Sequence, residues 1–317
     1  MVTRSLPAAD VPGPPEGLWR LALRRFLRNR LAVASLVFLV LLTLAAVFAP
    51  LVAPRPYAAD DLLAAYAPPG PGYLLGADFM GRDVLSRLIY GARVSLAVAL
   101  VGALISLAIG LAYGITAGYR GGRWDRLMMR IVDVFYALPT LVVVILIMVY
   151  FRAGQPQSFT GIKALLNRWD DALGGLLFIF VGIGLTSWLQ MARVARGEAL
   201  ALMNRDFVQS AVALGASGPR VVLRHLLPNL LGPCIVVETA TIPSYILTEA
   251  FLSFIGLGVN PPMPSWGAMI NEGYQAMRSY PHVILWPVLA LTATVLAFNF
   301  IGDGLRDALD PRLGDPS

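Results

Sequence analysis

Long apolar runs constrain this chain more than any other feature of its sequence. The first covers residues 31–53 and contains no Asp, Glu, Lys or Arg. As a helix it is about 35 Å long, enough to cross the roughly 30 Å hydrocarbon core of a bilayer. Further apolar runs follow, in a chain of 317 residues that is 57% hydrophobic. Because lipid-exposed backbone must satisfy its own hydrogen bonds, we predict an all-α polytopic membrane protein with six transmembrane helices.

The predicted spans divide the chain into segments. They are residues 31–53, 91–118, 131–151, 172–192, 230–256 and 284–302. A tail with a basic amphipathic part (1–30) comes first, and residues 18–30 are suited to the surface of anionic membrane lipid. A polar segment (54–90) separates the first span from a core of five spans (91–302), and a short tail (303–317) ends the chain.

Basic residues are distributed unequally between the two sides of the predicted membrane. With six spans, 17 Lys and Arg fall on the side of both termini and 8 on the other side, which together make the 25 of the composition. Basic residues concentrate on the cytoplasmic side of membrane proteins. We therefore expect both termini and the polar segment 193–229 in the cytoplasm, and residues 54–90 outside. The net charge of +6 has the same explanation, so nucleic acid is not a predicted partner.

The polar segment 193–229, between the fourth and fifth spans, predicts a helical hairpin. Apolar residues recur at helical spacing across 198–214, and Gly215 follows where a helix C-cap favours positive φ. Ser217 and Pro219 are suited to the start of a second helix. The segment contains five arginines and one histidine but only two acidic residues, which fits either a docking surface or an ordinary positively charged loop. A DNA-reading helix-turn-helix is disfavoured because the bilayer holds both ends.

This segment resembles the cytoplasmic loop of ABC importer permeases, which is written EAA-x3-G-x9-I-x-L-P. Two departures from that pattern are Gln209-Ser210 in place of Glu-Ala and His225 in place of Ile. In that family the loop is a coupling helix that lies in a groove of a cytoplasmic ATPase and carries its motion to the spans. The resemblance therefore implies an ATPase-coupling role for Ala211, Gly215, Ala216, Ser217, Leu227 and Pro228.

Other stretches resemble the dipeptide/oligopeptide/nickel branch of these permeases and its second, C-type subunit. Residues 73–96 are similar to its signature GTDxxGRDVxSRLxYGARxSL, with Ala77 in place of Thr. The other matching stretches are EAFLSFIGLG, PPMPSWGAMI and FNFIGDGLRDALDPR. The resemblance covers roughly residues 73–313 and implies the type I ABC importer permease fold. From their own chemistry, residues 76–83 predict a tight turn with a local Arg–carboxylate pair, which we interpret as a structural plug.

The resemblance also implies a function. It implies a permease subunit that moves di- or oligopeptides across a bacterial or archaeal cytoplasmic membrane by alternating access, with nickel as the alternative solute. The implied partners are a homologous permease subunit in a heterodimer, two cytoplasmic ABC ATPases and an extracytoplasmic solute-binding protein. The sequence has no GxxxxGK[ST] phosphate loop, so ATP hydrolysis is assigned to the partners. The chain itself is not expected to be an enzyme or to carry a cofactor or a metal.

Two acidic residues stand inside the fifth span. Glu238 and Glu249 are eleven positions apart, about three helical turns, so they share one face of the helix. An ionised carboxylate at this depth costs a few kcal/mol and must face the bundle or a watery path. Helix-packing hydrogen bonds, a polar pathway lining and a proton relay are the three hypotheses. The last defines a more distant alternative, a proton-coupled secondary carrier, and a non-transporting membrane scaffold or enzyme is a further one.

Two local patterns predict how the helices pack. Gly110, Gly114 and Gly118 recur every four residues, and small residues at that period allow helices to approach closely in lipid. The Leu138-Pro139 pair predicts a kink in the third span.

Overall fold

The computed structural model describes residues 18–152 and 160–309, and its regular elements there are all helical. The predicted tail residues 1–17 and 310–317 lie outside the described residues. The helices are α1 (Leu18–Arg28), α2 (Arg30–Val47), α3 (Ala49–Val52), α4 (Val84–Arg120), α5 (Gly122–Tyr136), α6 (Thr140–Arg152), α7 (Gly161–Ala172), α8 (Leu177–Met203), α9 (Asp206–Ala213), α10 (Gly218–Arg220), α11 (Leu227–Phe254), α12 (Trp266–Ala276) and α13 (Pro281–Leu309). A π-helical turn, Val221–Leu226, joins α10 to α11.

Five helical units are long and apolar enough to cross a membrane: α2, α4, α8, α13 and the continuous unit Gly218–Phe254. A sixth span is present if α5 and α6, which are bent by 73° relative to each other, count as one. The bend lies at Leu138 and Pro139, because proline disfavours the α conformation of the residue before it. The predicted kink is therefore confirmed, as a break between two helices.

The centre of the bundle is the pair α4 and α8, held at close range by the predicted glycine stripe. A Cβ atom added at Gly110 would lie 2.5 Å from the Met191 Cβ, and one at Gly114 would lie 2.4 Å from the Ala192 carbonyl oxygen. At Gly118 the nearest atom would be the Ala199 Cβ at 2.7 Å. The stripe is thus a packing surface, as the spacing predicted.

The remaining spans surround this pair. Helix α11 packs against α4 and α8, while α2 and α13 cover the other side of α4 and α11. At one end of the bundle, α1 lies on the last turns of α13, where Phe26 and Ala22 are buried against Ala308. Arg93 of α4 bonds the carbonyl of Val47 at 2.7 Å, which places the last turn of α2 at the opposite end.

Several helices extend beyond the predicted spans. Helix α4 begins at Val84, inside the segment 54–90, and α13 continues to Leu309, inside the predicted tail 303–317. Helix α8 continues to Met203, so the first part of the polar segment is not a loop. The prediction of one continuous helix across 198–214 is wrong, because α8 ends at Met203 and α9 begins at Asp206. Asn204 caps α8 there, and its side chain donates to the Leu200 carbonyl at 3.0 Å.

Candidate functional site

The hairpin, residues 204–229, consists of α9, a turn, α10 and the π-helical turn that leads into α11. Gly215 closes α9 with a φ of +84°, the conformation predicted for it. Its N–H donates to the Val212 carbonyl at 2.9 Å, and the Ala216 N–H donates to the Ala211 carbonyl at 3.0 Å. These two bonds form a Schellman motif, which satisfies the last carbonyls of the helix.

One face of the hairpin is locked into the bundle. Val208, Val221 and Leu226 are completely buried, in a cluster with residues of α4, α8 and α11. A Cβ atom added at Gly218 would lie 2.6 Å from the Tyr119 hydroxyl oxygen, so α10 lies directly against the last turn of α4. The hairpin is therefore packed against the ends of the central helices.

The opposite face of the hairpin is exposed and mixes apolar with basic side chains. Leu214 is 89% exposed and Leu223 is 64% exposed. The side chains of Phe207 and Val212 are also exposed, as are Arg205, Arg220 and Arg224. An exposed surface that combines large apolar and basic side chains is suited to contact with another protein.

The six residues implied in coupling do not form one cluster. Ala211, Gly215, Ala216 and Ser217 surround the turn, and Ser217 precedes α10 without a side-chain capping bond. Leu227 and Pro228 instead form the first turn of α11. Leu227 packs against the buried cluster, whereas Pro228 is exposed. The first group belongs to the exposed turn, and the second lies where the hairpin passes into a span.

Sequence reasoning missed a connection between the hairpin end of α8 and α5. Arg196 donates to both carboxylate oxygens of Asp125, at 2.5 and 2.7 Å, and Arg193 bonds Asp133 at 2.7 Å. The first is a bidentate pair, the strongest geometry for this interaction. The sequence spacing gives no sign of these pairs, because 60 and 71 positions separate the partners.

The two intramembrane glutamates are buried against α4. Glu238, 3% exposed, accepts hydrogen bonds from the Ser106 hydroxyl at 2.7 Å and the Tyr245 hydroxyl at 3.0 Å. Glu249 is fully buried and accepts from Ser253 at 2.7 Å and from Ser95 at 3.1 Å.

The spacing of the partners explains the arrangement of these bonds. Ser95 and Ser106 are also eleven positions apart, so two antiparallel helices bring each serine opposite one glutamate. Each carboxylate is bonded by hydroxyl groups and lies three turns from the other, about 16 Å along the helix. This geometry favours the packing hypothesis over a relay that passes a proton between them.

We expect the substitutions Glu249→Gln and Glu249→Leu to have different effects. Glutamine still offers the two serine hydroxyls a carbonyl acceptor and an amide donor, so its cost should stay within about 1 kcal/mol. Leucine leaves both buried hydroxyls without this partner and should cost about 1–3 kcal/mol for each. Thermal unfolding of the purified membrane complex measures both. An equal loss in the two variants would contradict the packing role and indicate a need for the charge itself.

The segment before α4 forms a buried ion cluster at the opposite end of the bundle. Asp78 accepts from the Arg82 Nε at 2.7 Å and also bonds Arg87, which confirms the predicted turn with a local Arg–carboxylate pair. The structure adds Glu272 of α12, which receives two bonds from Arg87, at 2.6 and 3.0 Å. Gly81 has a φ of +76°, and a Cβ there would overlap the Asp61 carbonyl oxygen at 1.7 Å. Residues 54–83 therefore form a cap that ion pairs hold against α4 and α12.

Comparison with known families agrees with this architecture. Residues 110–315 match the family described as "Binding-protein-dependent transport system inner membrane component". Residues 17–69 match the family described as "N-terminal TM domain of oligopeptide transport permease C". The resemblance stated from the sequence motifs is thereby confirmed.

Curated relatives align over most of the chain. "Oligopeptide transport system permease protein OppC" of Bacillus subtilis (strain 168) is 40% identical over 296 residues, which is 93% of this chain and 90% of the relative. The protein of the same name from Escherichia coli (strain K12) is 42% identical over 297 residues, or 93% and 91%. "Dipeptide transport system permease protein DppC" of Bacillus subtilis (strain 168) is 41% identical over 293 residues, or 92% and 85%.

A solved structure has the same fold. A chain of the MetNI methionine ABC transporter, in an inward-facing conformation, superposes with a TM-score of 0.52 at 19% identity, covering 71% of this chain and 96% of that chain. The predicted all-α permease fold is confirmed. The chain therefore belongs to the family of binding-protein-dependent transport system inner membrane components, as a multi-pass permease subunit in the cytoplasmic membrane.

Proposed function

We propose that this chain is one permease subunit of an ATP-driven importer that carries di- or oligopeptides into the cytoplasm. The hairpin is the observation that carries the proposal. Its exposed face presents Leu214 and Leu223, while its buried face is fixed to α4, α8 and α11. We infer that a cytoplasmic ABC ATPase covers the exposed face and moves the spans through the buried one.

The transported solute is inferred from the relatives. Their names specify oligopeptide and dipeptide transport, and the identity to this chain extends across almost its entire length. Peptides are therefore the proposed cargo, and nickel is the alternative within the branch. The proposed mechanism is alternating access, in which the spans of two permease subunits rearrange around the solute.

In the proposed assembly, the chain pairs with a homologous permease subunit in a heterodimer. Two cytoplasmic ABC ATPases and an extracytoplasmic solute-binding protein complete the complex, which lies in membrane lipid. With both termini in the cytoplasm, the hairpin faces the ATPases and the cap formed by residues 54–83 faces the binding protein. The excess of basic residues on the hairpin side supports this orientation.

Coupling is assigned to two groups of residues with different roles. Ala211, Gly215, Ala216 and Ser217 form the turn that contacts the ATPase. Leu227 and Pro228 begin α11 and transmit the displacement into that span. The pair of Arg196 with Asp125 carries the same displacement to α5.

Uptake by the complete complex in proteoliposomes tests this proposal. With labelled trialanine and the binding protein outside, we expect uptake that requires ATP at the ATPase side and continues in the presence of a protonophore. Uptake that ignores ATP and collapses with the protonophore would instead identify a proton-coupled carrier. ATP-dependent uptake of radioactive nickel but not of trialanine would identify the metal as the cargo.

Gly215→Leu is expected to lower ATP-dependent uptake about tenfold while the subunit still inserts and assembles, since a left-handed non-glycine residue costs about 1–2 kcal/mol. No atom lies within 4 Å of an added Cβ, so backbone conformation and not steric clash causes the loss. Gly215→Asn is the matched control, because asparagine tolerates positive φ and should retain most uptake. Normal uptake by Gly215→Leu at normal abundance would contradict the role of the turn.

A further inference from the structure

A polar cleft lies between the α5–α6 break, α8 and α11, within the membrane-spanning part of the bundle. Its volume is about 220 Å³, and none of its described lining residues carries a charge. Tyr136 and Thr140, the residues on either side of the break, both line it. Helix α11 contributes Thr241, Ser244 and Thr248, which share one face of the helix because they are three and four positions apart.

This cleft is suited to water and not to lipid. The helical bonding of α5 ends with the Ala137 N–H, which donates to the Asp133 carbonyl, and that of α6 starts at the Pro139 carbonyl, which accepts from Val143. Such a break in the helix at membrane depth is tolerated where it lines a water-filled cavity. Exposed Gln190 and Ser244 add polar side chains to the same wall. In lipid the Gln190 amide would have no solvent to bond, so this face borders an aqueous path or another subunit that encloses one.

The hydroxyl groups on α11 present acceptors to the cleft. Thr241 donates its proton to the Val237 carbonyl at 2.8 Å, and Thr248 donates to the Ser244 carbonyl at 2.7 Å. Ser244 donates in the same way to the Thr241 carbonyl, also at 2.7 Å. Each hydroxyl has only one proton, so its lone pairs are what remains for a molecule in the cleft.

Donors come from the other walls. The Ser187 hydroxyl on α8 is 8% exposed, lines the cleft and has no hydrogen-bond partner among the described residues. Helix α6 begins at Thr140, and the first N–H groups of a helix have no carbonyl within that helix to bond. A buried hydroxyl without a partner is costly, which indicates that a ligand or water completes it.

We propose that this cleft binds the main chain of the transported peptide. Peptide N–H groups and the α-ammonium group bond the hydroxyl oxygens of α11, and peptide carbonyl or carboxylate oxygens bond Ser187 and the start of α6. The inference rests on the proposed function and deepens it. Since the lining is uncharged, it recognises what all peptides share and does not select among charged side chains.

The same chemistry disfavours a metal ion as the occupant. Nickel and other transition metals prefer imidazole, thiolate or carboxylate ligands. The described lining offers neutral hydroxyl and amide groups instead. Of the two cargo classes in this branch, the cleft therefore fits peptide.

The test compares two substrates in one triple variant of the assembled complex. Thr241→Val, Ser244→Ala and Thr248→Val together remove the acceptors with little change in shape. Uptake of trialanine is expected to fall at least about tenfold, since each lost hydrogen bond weakens binding by a few-fold. Uptake of a backbone N-methylated trialanine, which lacks the amide N–H donors, should change much less. The binding protein is identical in both complexes, so its own preference cancels in the ratio of variant to parent.

Thr239→Val is the matched control, because Thr239 on the same helix donates to the Ile235 carbonyl at 2.8 Å and does not line the cleft. It should leave the uptake of both substrates unaffected.

If the triple variant does not assemble, Ser187→Ala alone should still lower trialanine uptake several-fold. Unchanged trialanine uptake, or an equal loss for both peptides, would overturn the proposal while the proposed function stands. If the parent complex imports neither peptide in the presence of ATP, both are overturned.

Discussion

Arg87→Met is expected to destabilise the cap formed by residues 54–83 by about 3–5 kcal/mol, the usual cost of breaking a buried ion pair by removing one partner. Arg87 is 2% exposed and bonds Asp78 and both carboxylate oxygens of Glu272. Methionine fills similar space but leaves Asp78 with Arg82 as its remaining cation and Glu272 with one 3.5 Å contact to Arg82. The thermal unfolding midpoint of the purified complex should fall by several degrees.

Two further variants test the cause of that loss. Arg168→Met makes the same change at an exposed arginine of α7 and should shift the midpoint little. Arg87→Lys keeps the charge but cannot bond both carboxylates with a planar fork, so it should be intermediate. If the Arg87→Met and Arg168→Met variants unfold at the same temperature, the ion cluster around Arg87 does not stabilise the cap.

Gly114→Ala is expected to separate α4 from α8 and to lower the amount of assembled subunit. The added Cβ would lie 2.4 Å from the Ala192 carbonyl oxygen and 2.9 Å from the Arg196 nitrogen, both of them backbone atoms that cannot rotate away. Overpacking of this kind costs about 1–3 kcal/mol or more. It should also disturb coupling, because the buried face of the hairpin packs against the ends of the same two helices.

Gly197→Ala is the matched control for this substitution. Gly197 lies on α8, is exposed, and an added Cβ meets no atom within 4 Å. Alanine should therefore stabilise the helix by up to about 1 kcal/mol, the opposite sign. Thermal unfolding and size-exclusion chromatography of the two variants in mild detergent measure the difference. A similar midpoint for both would mean that the helices are not in close contact at Gly114.

The contacts behind the Arg87→Met and Gly114→Ala predictions could be inferred only in part from the sequence. The glycine stripe predicts close helix packing by its spacing alone, since small residues four apart form one helix face. It does not reveal that α8 is the partner. Similarly, the signature around Asp78 and Arg82 predicts a local ion pair, but Arg87 reaches Glu272 across 185 positions.

The sequence by itself determined what depends on local order along the chain. The apolar runs predicted membrane helices, and the motifs indicated the family. Gly215 predicted a helix C-terminus with positive φ, and Pro139 predicted a kink in the third span. Only the tertiary structure decided which side chains meet: the serines of α4 with Glu238 and Glu249, Arg196 with Asp125, and the hydroxyls that line the cleft. Helix pairing in lipid depends on packing and hydrogen bonds more than on an apolar stripe, so the register between helices has no periodic signature in the sequence.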